Sequence, residues 1–196
     1  MSSKTTKSLS QQIAKRIKQL RRNSGWSLKT LAQKTGFAKS YLSEIENNKK
    51  EPPISSLTKI AQALEIEIVA LITGENLEAE NKPFILVRSH ERRSIPPLRG
   101  AETYKFESLT YKRTNKLMNA YLLTADFEFP ENPRAHAGQE FIFMLEGKQE
   151  VFYDGQTHIV QKGDCFYIDS DRPHYSRSIG KTPAKFIVVS CVEKGK

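Results

Sequence analysis

Residues 27–53 have the sequence SLKTLAQKTGFAKSYLSEIENNKKEPP, and this stretch decides the fold of the first part of the chain. Its apolar residues recur every three or four positions on both sides of Gly36, as on the buried faces of two helices. Glycine suits the short turn in which two packed helices must cross. The spacing therefore predicts a helix-turn-helix. The residues expected on its inner faces are Leu28, Leu31, Ala32, Leu42 and Ile45.

The polar residues of the same stretch fall on the outward sides of the two helices. Side chains of these types hydrogen-bond to base edges and phosphates, so we expect this surface to contact DNA. The alternative is a helix pair without a nucleic-acid partner, because amphipathic helices joined by glycine are common. The candidate DNA-binding residues are Lys29, Lys39, Ser40, Tyr41, Ser43, Glu44, Asn47, Lys49 and Lys50.

The order of Ala32, Gly36, Leu42, Ile45 and Pro52 resembles the helix-turn-helix family of phage-repressor (XRE) type. The resemblance covers about the first third of the chain. It implies that the second helix of the pair enters the major groove of a double-stranded DNA operator. It also implies that a homodimer binds two half-sites.

Charge is distributed unevenly along the 196 residues. Up to residue 74 there are thirteen Lys and Arg against five Asp and Glu, a net of +8, and the remainder has eighteen against seventeen, a net of +1. A basic excess confined to the segment that contains the helix-turn-helix favours a partner made of phosphates. The alternative is a basic surface that is simply solvated and binds no nucleic acid.

The helical pattern extends on both sides of the quoted stretch. We expect a flexible arm over residues 1–8, a first helix over 9–22 and a helix after Ser27 as N-cap. Two further helices are expected from Ser55 and from Glu67, with Gly74 ending the last one. An all-α, five-helix DNA-binding domain at 9–74 and a polar, acidic linker at 75–83 are the resulting predictions.

The spacing of apolar residues changes to a period of two after the linker. Strands are expected at 84–87, 103–111, 117–126, 140–145, 148–153, 156–160, 164–168 and 184–192, with turns at Glu146-Gly147 and Asp154-Gly155. Many short strands without helices predict an all-β sandwich or jelly-roll barrel over 84–196. Aromatic residues at strand spacing are expected mostly in its core. They are Tyr104, Phe106, Tyr111, Tyr121, Phe141, Phe143, Phe152, Phe166 and Tyr167.

The cysteines and the apolar content bear on the compartment. Cys165 and Cys191 lie in apolar strand-like segments without CxxC spacing, which favours buried thiols over a disulfide framework. The amino terminus has no apolar run and no later stretch approaches the length of a membrane span. We expect a cytoplasmic protein that does not associate with a membrane.

Two segments of the β domain, 133–147 and 163–178, resemble the cupin family. His136, Glu140, Gly147, Gly163 and His174 stand at positions that match its two motifs. The resemblance covers most of residues 84–196 and implies a ligand-sensing and dimerisation domain. Arg134 stands where the first histidine of the family's HxH pair is expected, and we place Arg134 in the ligand pocket.

The spacing of His136 and Glu140 directs both side chains to one face of a strand, which would be the barrel interior. Together with His174 they would form a set of two imidazoles and one carboxylate, which suits a divalent metal such as Fe, Zn, Mn or Ni. Arg134 would oppose the ion, hold an anionic ligand or pair with Glu140. The alternative is that these histidines are ordinary hydrogen-bonded residues, as we expect for His90 and His158.

Two functions from different classes fit these residues. The first is a non-enzymatic transcriptional regulator, in which the helical domain binds operator DNA and the cupin domain senses a small molecule or a metal. The second is a non-haem iron oxygenase, because the same plan also resembles the epoxidases of fosfomycin type. Those enzymes use a lysine and a tyrosine where this chain has Gly25 and Phe106. We therefore favour the regulator and assign no catalytic residue.

Overall fold

The computed structural model describes residues 2–75, 77, 79–98 and 101–191. These residues fall into two compact units. The helical unit contains the described residues up to 86 together with 111–115, and the β unit contains the described residues of 87–110 and 116–191. Among the described residues, no helix combines the length and the apolar character needed to cross a bilayer.

The described part of the helical unit has five α-helices, as predicted. The first helix begins earlier than expected. The sequence predicted a flexible arm over residues 1–8, whereas the backbone is helical from Ser2. No glycine or proline interrupts the chain before Asn23, so nothing stops the helix from extending in that direction. The helices are α1 (Ser2–Asn23), α2 (Leu28–Thr35), α3 (Lys39–Glu46), α4 (Ile54–Ala63) and α5 (Ile68–Thr73).

Local signals in the sequence fix the ends of the two central helices. The Ser27 side chain accepts a hydrogen bond from the backbone N–H of Thr30, as expected of an N-cap. Gly36 ends α2 in the left-handed conformation, with φ of 71°. Asn48 takes the same conformation after α3, with φ of 54°, where glycine is usual in the family. Turn chemistry therefore fixes where α2 ends and where the chain leaves α3.

A buried ion pair joins α1 to α3. Arg21 Nε lies 2.6 Å from Glu46 Oε1, and Arg21 Nη2 lies 2.8 Å from Glu46 Oε2. The two side chains are 9% and 2% exposed, so water cannot solvate either charge when its partner is removed. Arg21 also donates to the carbonyl of Trp26, which precedes α2. In the sequence, both residues were recognised only as contributors to the net charge.

Within the described residues, the β unit has nine strands, arranged in two antiparallel sheets rather than one closed barrel. The larger sheet has the order β1-β2-β3-β9-β4-β7 and the smaller one β6-β5-β8. The strands are β1 (Arg93–Ile95), β2 (Tyr104–Ser108), β3 (Met118–Ala125), β4 (Gln139–Glu146), β5 (Lys148–Tyr153), β6 (Gln156–Gln161), β7 (Cys165–Asp169), β8 (His174–Ile179) and β9 (Lys185–Cys191).

Three strand predictions were wrong. Residues 84–87 form no strand, and Phe84 and Leu86 are largely exposed, because an apolar run without a partner strand gains no ladder of hydrogen bonds. β1 and β8 were not predicted. β8 has the polar sequence HYSRSI and becomes a strand through its pairing with β5. Residue 192 of the last predicted strand lies outside the described residues.

Alternate residues of β4 point into and out of the β unit. Ile142 and Met144 are buried, whereas Phe141 and Phe143 are 41% and 38% exposed. Tyr167 of β7 is also exposed, at 59%. The expectation that the aromatic residues lie mostly in the core is therefore wrong for these three. It holds for Tyr104, Phe106, Tyr111 and Tyr121.

The expectation of buried thiols was also wrong. Cys165 and Cys191 are both exposed. Phe186 and Val188 point inward on β9, so the alternation of side chains directs Cys191 outward. Ile168 points inward on β7, so Cys165 is directed outward in the same way. Apolar neighbours in the sequence cannot distinguish the two faces of a strand when both faces are apolar.

We predict that Glu46→Ala lowers the free energy of unfolding of the helical unit by about 3 kcal/mol, because it leaves the Arg21 charge buried without a partner. Trp26 is the single tryptophan of the chain, so its fluorescence during denaturant unfolding reports on this unit. The control is Lys18→Ala, which removes an exposed 3.3 Å hydrogen bond from α1 to Asn47, the residue that follows α3, and should cost less than about 1 kcal/mol. Equal effects of the two substitutions would contradict the role of the ion pair.

Candidate functional site

The first candidate site is the exposed side of α3 with the segment that follows it. Lys39, Ser40 and Glu44 are exposed on α3, and Lys49 and Lys50 are exposed after its end. Ala38 gives α3 no side-chain cap, so the N–H groups of its first turn point outward without that partner. Lys29 is exposed on the neighbouring helix α2. This surface therefore offers several cations and hydrogen-bond donors from adjacent elements.

Three of the predicted DNA-binding residues have structural contacts of their own. The Tyr41 hydroxyl donates to Ser56 Oγ at 3.0 Å, and its ring packs edge-on against Phe37. Asn47 donates from its side chain to the carbonyl and hydroxyl of Ser43. Tyr41 and Ser43 are half-buried as a result. These residues hold the shape of α3, whereas Lys39, Ser40 and Glu44 are more accessible.

The second candidate site lies inside the β unit. His136 precedes β4, Glu140 lies on β4 and His174 begins β8. One possible ligand atom from each of the three residues lies within 4.8 Å of the others. The structure thus brings together the three residues that the sequence predicted as metal ligands. His90 and His158, which were left out of that set, are exposed.

Backbone contacts orient both imidazoles of this trio. His174 Nδ1 lies 2.8 Å from the carbonyl oxygen of Arg172, and His136 Nδ1 lies 3.3 Å from that of Ala137. A proton on each Nδ1 leaves Nε2 free to bind a metal, which is the usual arrangement around metal-binding histidines. His136 Nε2 faces Glu140 Oε1 at 3.6 Å.

Burial favours the neutral form of both imidazoles. Burial lowers the pKa of His136, and the nearby Arg134 charge lowers it further against the raising effect of the bond to Ala137. Burial also lowers the pKa of His174. Burial raises the pKa of the Glu140 carboxyl, opposed by His174 and Arg134. Neutral imidazoles at neutral pH have the lone pairs that a metal needs.

The donor set fits a divalent metal ion. Donor atoms about 2.1 Å from one ion and at right angles to each other lie about 3 Å apart. The 3.6 Å pair of His136 and Glu140 is close to that spacing, whereas the widest separation of 4.8 Å must shorten by more than 1 Å. Two imidazoles and one carboxylate on one side of an ion leave its remaining coordination positions open.

Arg134 lies beside the trio. Its backbone pairs with that of His174, and its guanidinium lies over the Tyr104 ring, 5.1 Å from the ring centroid. Its Nε is buried and has no hydrogen-bond partner. An unpartnered buried donor on a cation is costly, so this nitrogen is suited to an acceptor supplied by a ligand.

The Gln149 side chain, which was not singled out from the sequence, is linked through Ser176 to Tyr104, whose ring lies beneath the Arg134 guanidinium. Gln149 is fully buried, and its Oε1 has no partner while its Nε2 donates to Ser176 Oγ. The Tyr104 hydroxyl accepts from the Ser176 N–H and donates to its carbonyl. The signal for Gln149 was present, since it shares the inward register of Val151 on β5 yet is polar.

Family models match both units of the chain. Residues 14–77 match a helix-turn-helix domain and residues 126–190 match a cupin domain. The HTH-type transcriptional regulator SutR of Escherichia coli is 37% identical over 171 residues, which are 87% of this chain and 89% of SutR. The HTH-type transcriptional regulator SinR of Bacillus licheniformis is 46% identical over 65 residues. That match spans 33% of this chain and only 59% of SinR.

Solved structures resemble the whole chain more distantly. An HTH_3 family transcriptional regulator from Vibrio cholerae has 28% identity and a TM-score of 0.57, over 96% of this chain and 99% of that one. Hydroxypropylphosphonic acid epoxidase from S. wedmorenis has 22% identity and a TM-score of 0.45, over 92% of this chain and 97% of that one. The second likeness is too weak to carry an argument about function.

We predict that Glu140→Ala or His174→Ala lowers the affinity for a divalent metal by at least about tenfold, because each removes a ligand. Metal-free protein would be titrated with Ni²⁺ or Zn²⁺ in a calorimeter, and metal retained after dialysis would be measured by mass spectrometry. The control is His158→Ala, which removes an exposed histidine from the same unit. Unchanged binding in both site variants would rule out this trio as the ligands.

Proposed function

The chain belongs to the HTH-type transcriptional regulators that carry a cupin domain, and on that premise we propose that it binds a DNA operator as a homodimer. We further propose that its cupin domain senses a small molecule through a bound divalent metal. The observation that carries the proposal is the accessible polar and basic surface around α3, in the part of the chain that holds nearly all of the net charge. Such a protein acts in the compartment that contains its DNA.

The roles of the candidate residues differ with their position. Lys39, Ser40 and Glu44 near the start and outer side of α3 are suited to base edges, since recognition helices contact bases with their N-terminal residues. Lys29, Lys49 and Lys50 lie outside α3 and are suited to phosphates. Tyr41, Ser43 and Asn47 would act mainly by fixing the helix, through the contacts described above.

The cupin site would take an anionic effector. A divalent ion with one carboxylate ligand keeps a positive charge, and Arg134 adds another beside it. The ion, when bound, would supply open coordination positions for oxygen atoms of the effector. The unpartnered Arg134 Nε and the Gln149 side chain would contact the remaining polar groups. A small oxoacid that chelates the metal matches this distribution of charge.

We do not propose epoxidase chemistry for this site. At the positions where epoxidases of fosfomycin type use a lysine and a tyrosine, Gly25 has no side chain and Phe106 has no hydroxyl. Phe106 is buried edge-on between the rings of Tyr104 and Tyr121, which is a core position. We assign the roles of that lysine and that tyrosine to no other described residue.

DNA binding is tested with a duplex from the region upstream of the protein's own gene, against a scrambled duplex of equal length. We expect the log of the affinity to fall linearly with the log of the salt concentration. Lys39→Ala should weaken binding of the specific duplex by about 1–3 kcal/mol, and Lys49→Ala should weaken both duplexes alike and reduce the salt slope by about 1. The charge-matched control is Lys181→Ala, an exposed lysine of the β unit. Affinity that is independent of salt would refute the proposal.

The effector class is tested with oxalate, a chelating anion, on protein loaded with Ni²⁺. Arg134→Gln should weaken oxalate binding by about tenfold or more, since it removes a charge-assisted hydrogen bond. The same variant should bind the metal itself more tightly, because it removes a cation from beside the ion. Calorimetry measures both affinities. Weaker metal binding in this variant would indicate a structural role for Arg134 instead.

A further inference from the structure

The outward side of the larger sheet is apolar over most of its width. We call it the outer face, and it is opposite to the side that carries Glu140. Several of its side chains are among the most exposed large apolar residues described in the chain. The outer face consists of Met118 on β3, Phe141, Phe143 and Leu145 on β4, Cys165 and Tyr167 on β7, and Ile187, Val189 and Cys191 on β9.

Strand register arranges these residues in rows across four strands. One row runs from Ala120 through Val189 and Phe141 to Tyr167. The next row, two residues along each strand, contains Leu122, Ile187, Phe143 and Cys165. Neither row contains a charged residue. Side chains in such rows lie on one surface, so the apolar area is continuous over β9, β4 and β7, whereas Leu122 on β3 is buried, at 6% exposure.

The outer face is as large as the largest apolar patch that a monomer usually exposes. With strands about 4.8 Å apart and about 3.4 Å per residue, the three strands β9, β4 and β7 over residues 139–145 cover roughly 340 Å². Continuous apolar patches of that size on soluble proteins are often functional. A standard interface covers about 800 Å² on each partner, with an apolar core and a polar rim.

The charges around the outer face complete such a rim. Glu146 and Lys185 face each other at one end of β4 and β9, with 3.8 Å between Lys185 Nζ and Glu146 Oε2. Gln139 and Asp169 are hydrogen-bonded at the other end. The first pair is neutral and the second carries one negative charge, so formal charge is absent from the centre of the face and nearly balanced at its ends, which suits packing against a copy of itself.

We propose that the outer face is the surface through which two copies of this chain pack, sheet against sheet, about a twofold axis. The proposal rests on the homodimer proposed above and names the residues that form it. A second copy fits better than a different partner, because a partner with its own charges would find none to match at the centre. Two DNA half-sites also require two copies.

The first experiment measures the mass of the full-length protein in solution by sedimentation equilibrium, for the wild type and two variants. Phe143→Asp places a charge at the centre of the outer face, and we expect the dimer dissociation constant to rise by more than about 30-fold. Ile159→Asp is the matched control. It changes an aliphatic residue that is 57% exposed on β6 of the other sheet, beside Glu150. This variant should remain dimeric.

A second measurement needs no substitution and therefore does not depend on the folding of a variant. The two cysteines of the chain both lie on the outer face and are exposed in the single chain. Dimerisation should slow the alkylation of Cys165, and the rate should rise on dilution in step with dissociation. Alkylation at one rate across the whole dimer-to-monomer range would overturn the proposed surface.

The outcomes separate the surface from the proposed function. A dimeric wild type whose mass is unchanged by Phe143→Asp overturns the outer face as the interface and leaves the homodimer standing. A wild type that is monomeric at every concentration overturns the interface and the homodimer together. In both cases, the salt dependence of DNA affinity tests operator binding separately from the oligomeric state.

Discussion

The β unit depends on the two-residue period of β4. Glu140 points to the interior beside the two histidines, while Phe141 and Phe143 point to the outside. A slip of one residue in the pairing of β4 would exchange the two sides and place the carboxylate in solvent. Ile142 and Met144 prevent that slip, because each is almost fully buried in the core. The register of β4 therefore determines both the candidate metal site and the outer face. Because Glu140 and Phe141 are adjacent in the chain, a backbone shift at one also moves the other.

In the helical unit the corresponding constraint is the buried pair of Arg21 and Glu46. Replacing such a pair by apolar residues of similar volume often costs no stability, so its presence is better explained by the geometry that it imposes. The carboxylate lies at the end of α3 and meets the guanidinium through two nearly equal contacts, which a rotated α3 could not keep. A second bond from Arg21 to the Trp26 carbonyl extends the same constraint to the start of α2.

Features that depend on neighbours in the sequence could be predicted, and features that depend on distant pairing could not. The N-cap at Ser27 and the turn at Gly36 are local, and the structure confirms them. The trio of metal-ligand candidates was predicted because two motifs of one family carry it. The strand character of β8 and the exposure of Cys165 depend on β5 and on the side of the sheet, which one strand's composition does not specify. The misplaced thiols and aromatic rings all belong to one apolar surface, since a strand that is apolar on both sides gives no sign of which side is covered.

The position of β9 has a consequence for how the chain acquires its structure during synthesis. β9 lies between β3 and β4 in the larger sheet, yet it follows every other strand in chain order. The contacts of the helical unit are mostly local and can form while later residues are still being translated. The β unit, by contrast, must wait for Lys185–Cys191, and until then β3 and β4 each have an open edge beside apolar residues. That interval is when the nascent chain is most exposed to aggregation and most dependent on chaperones.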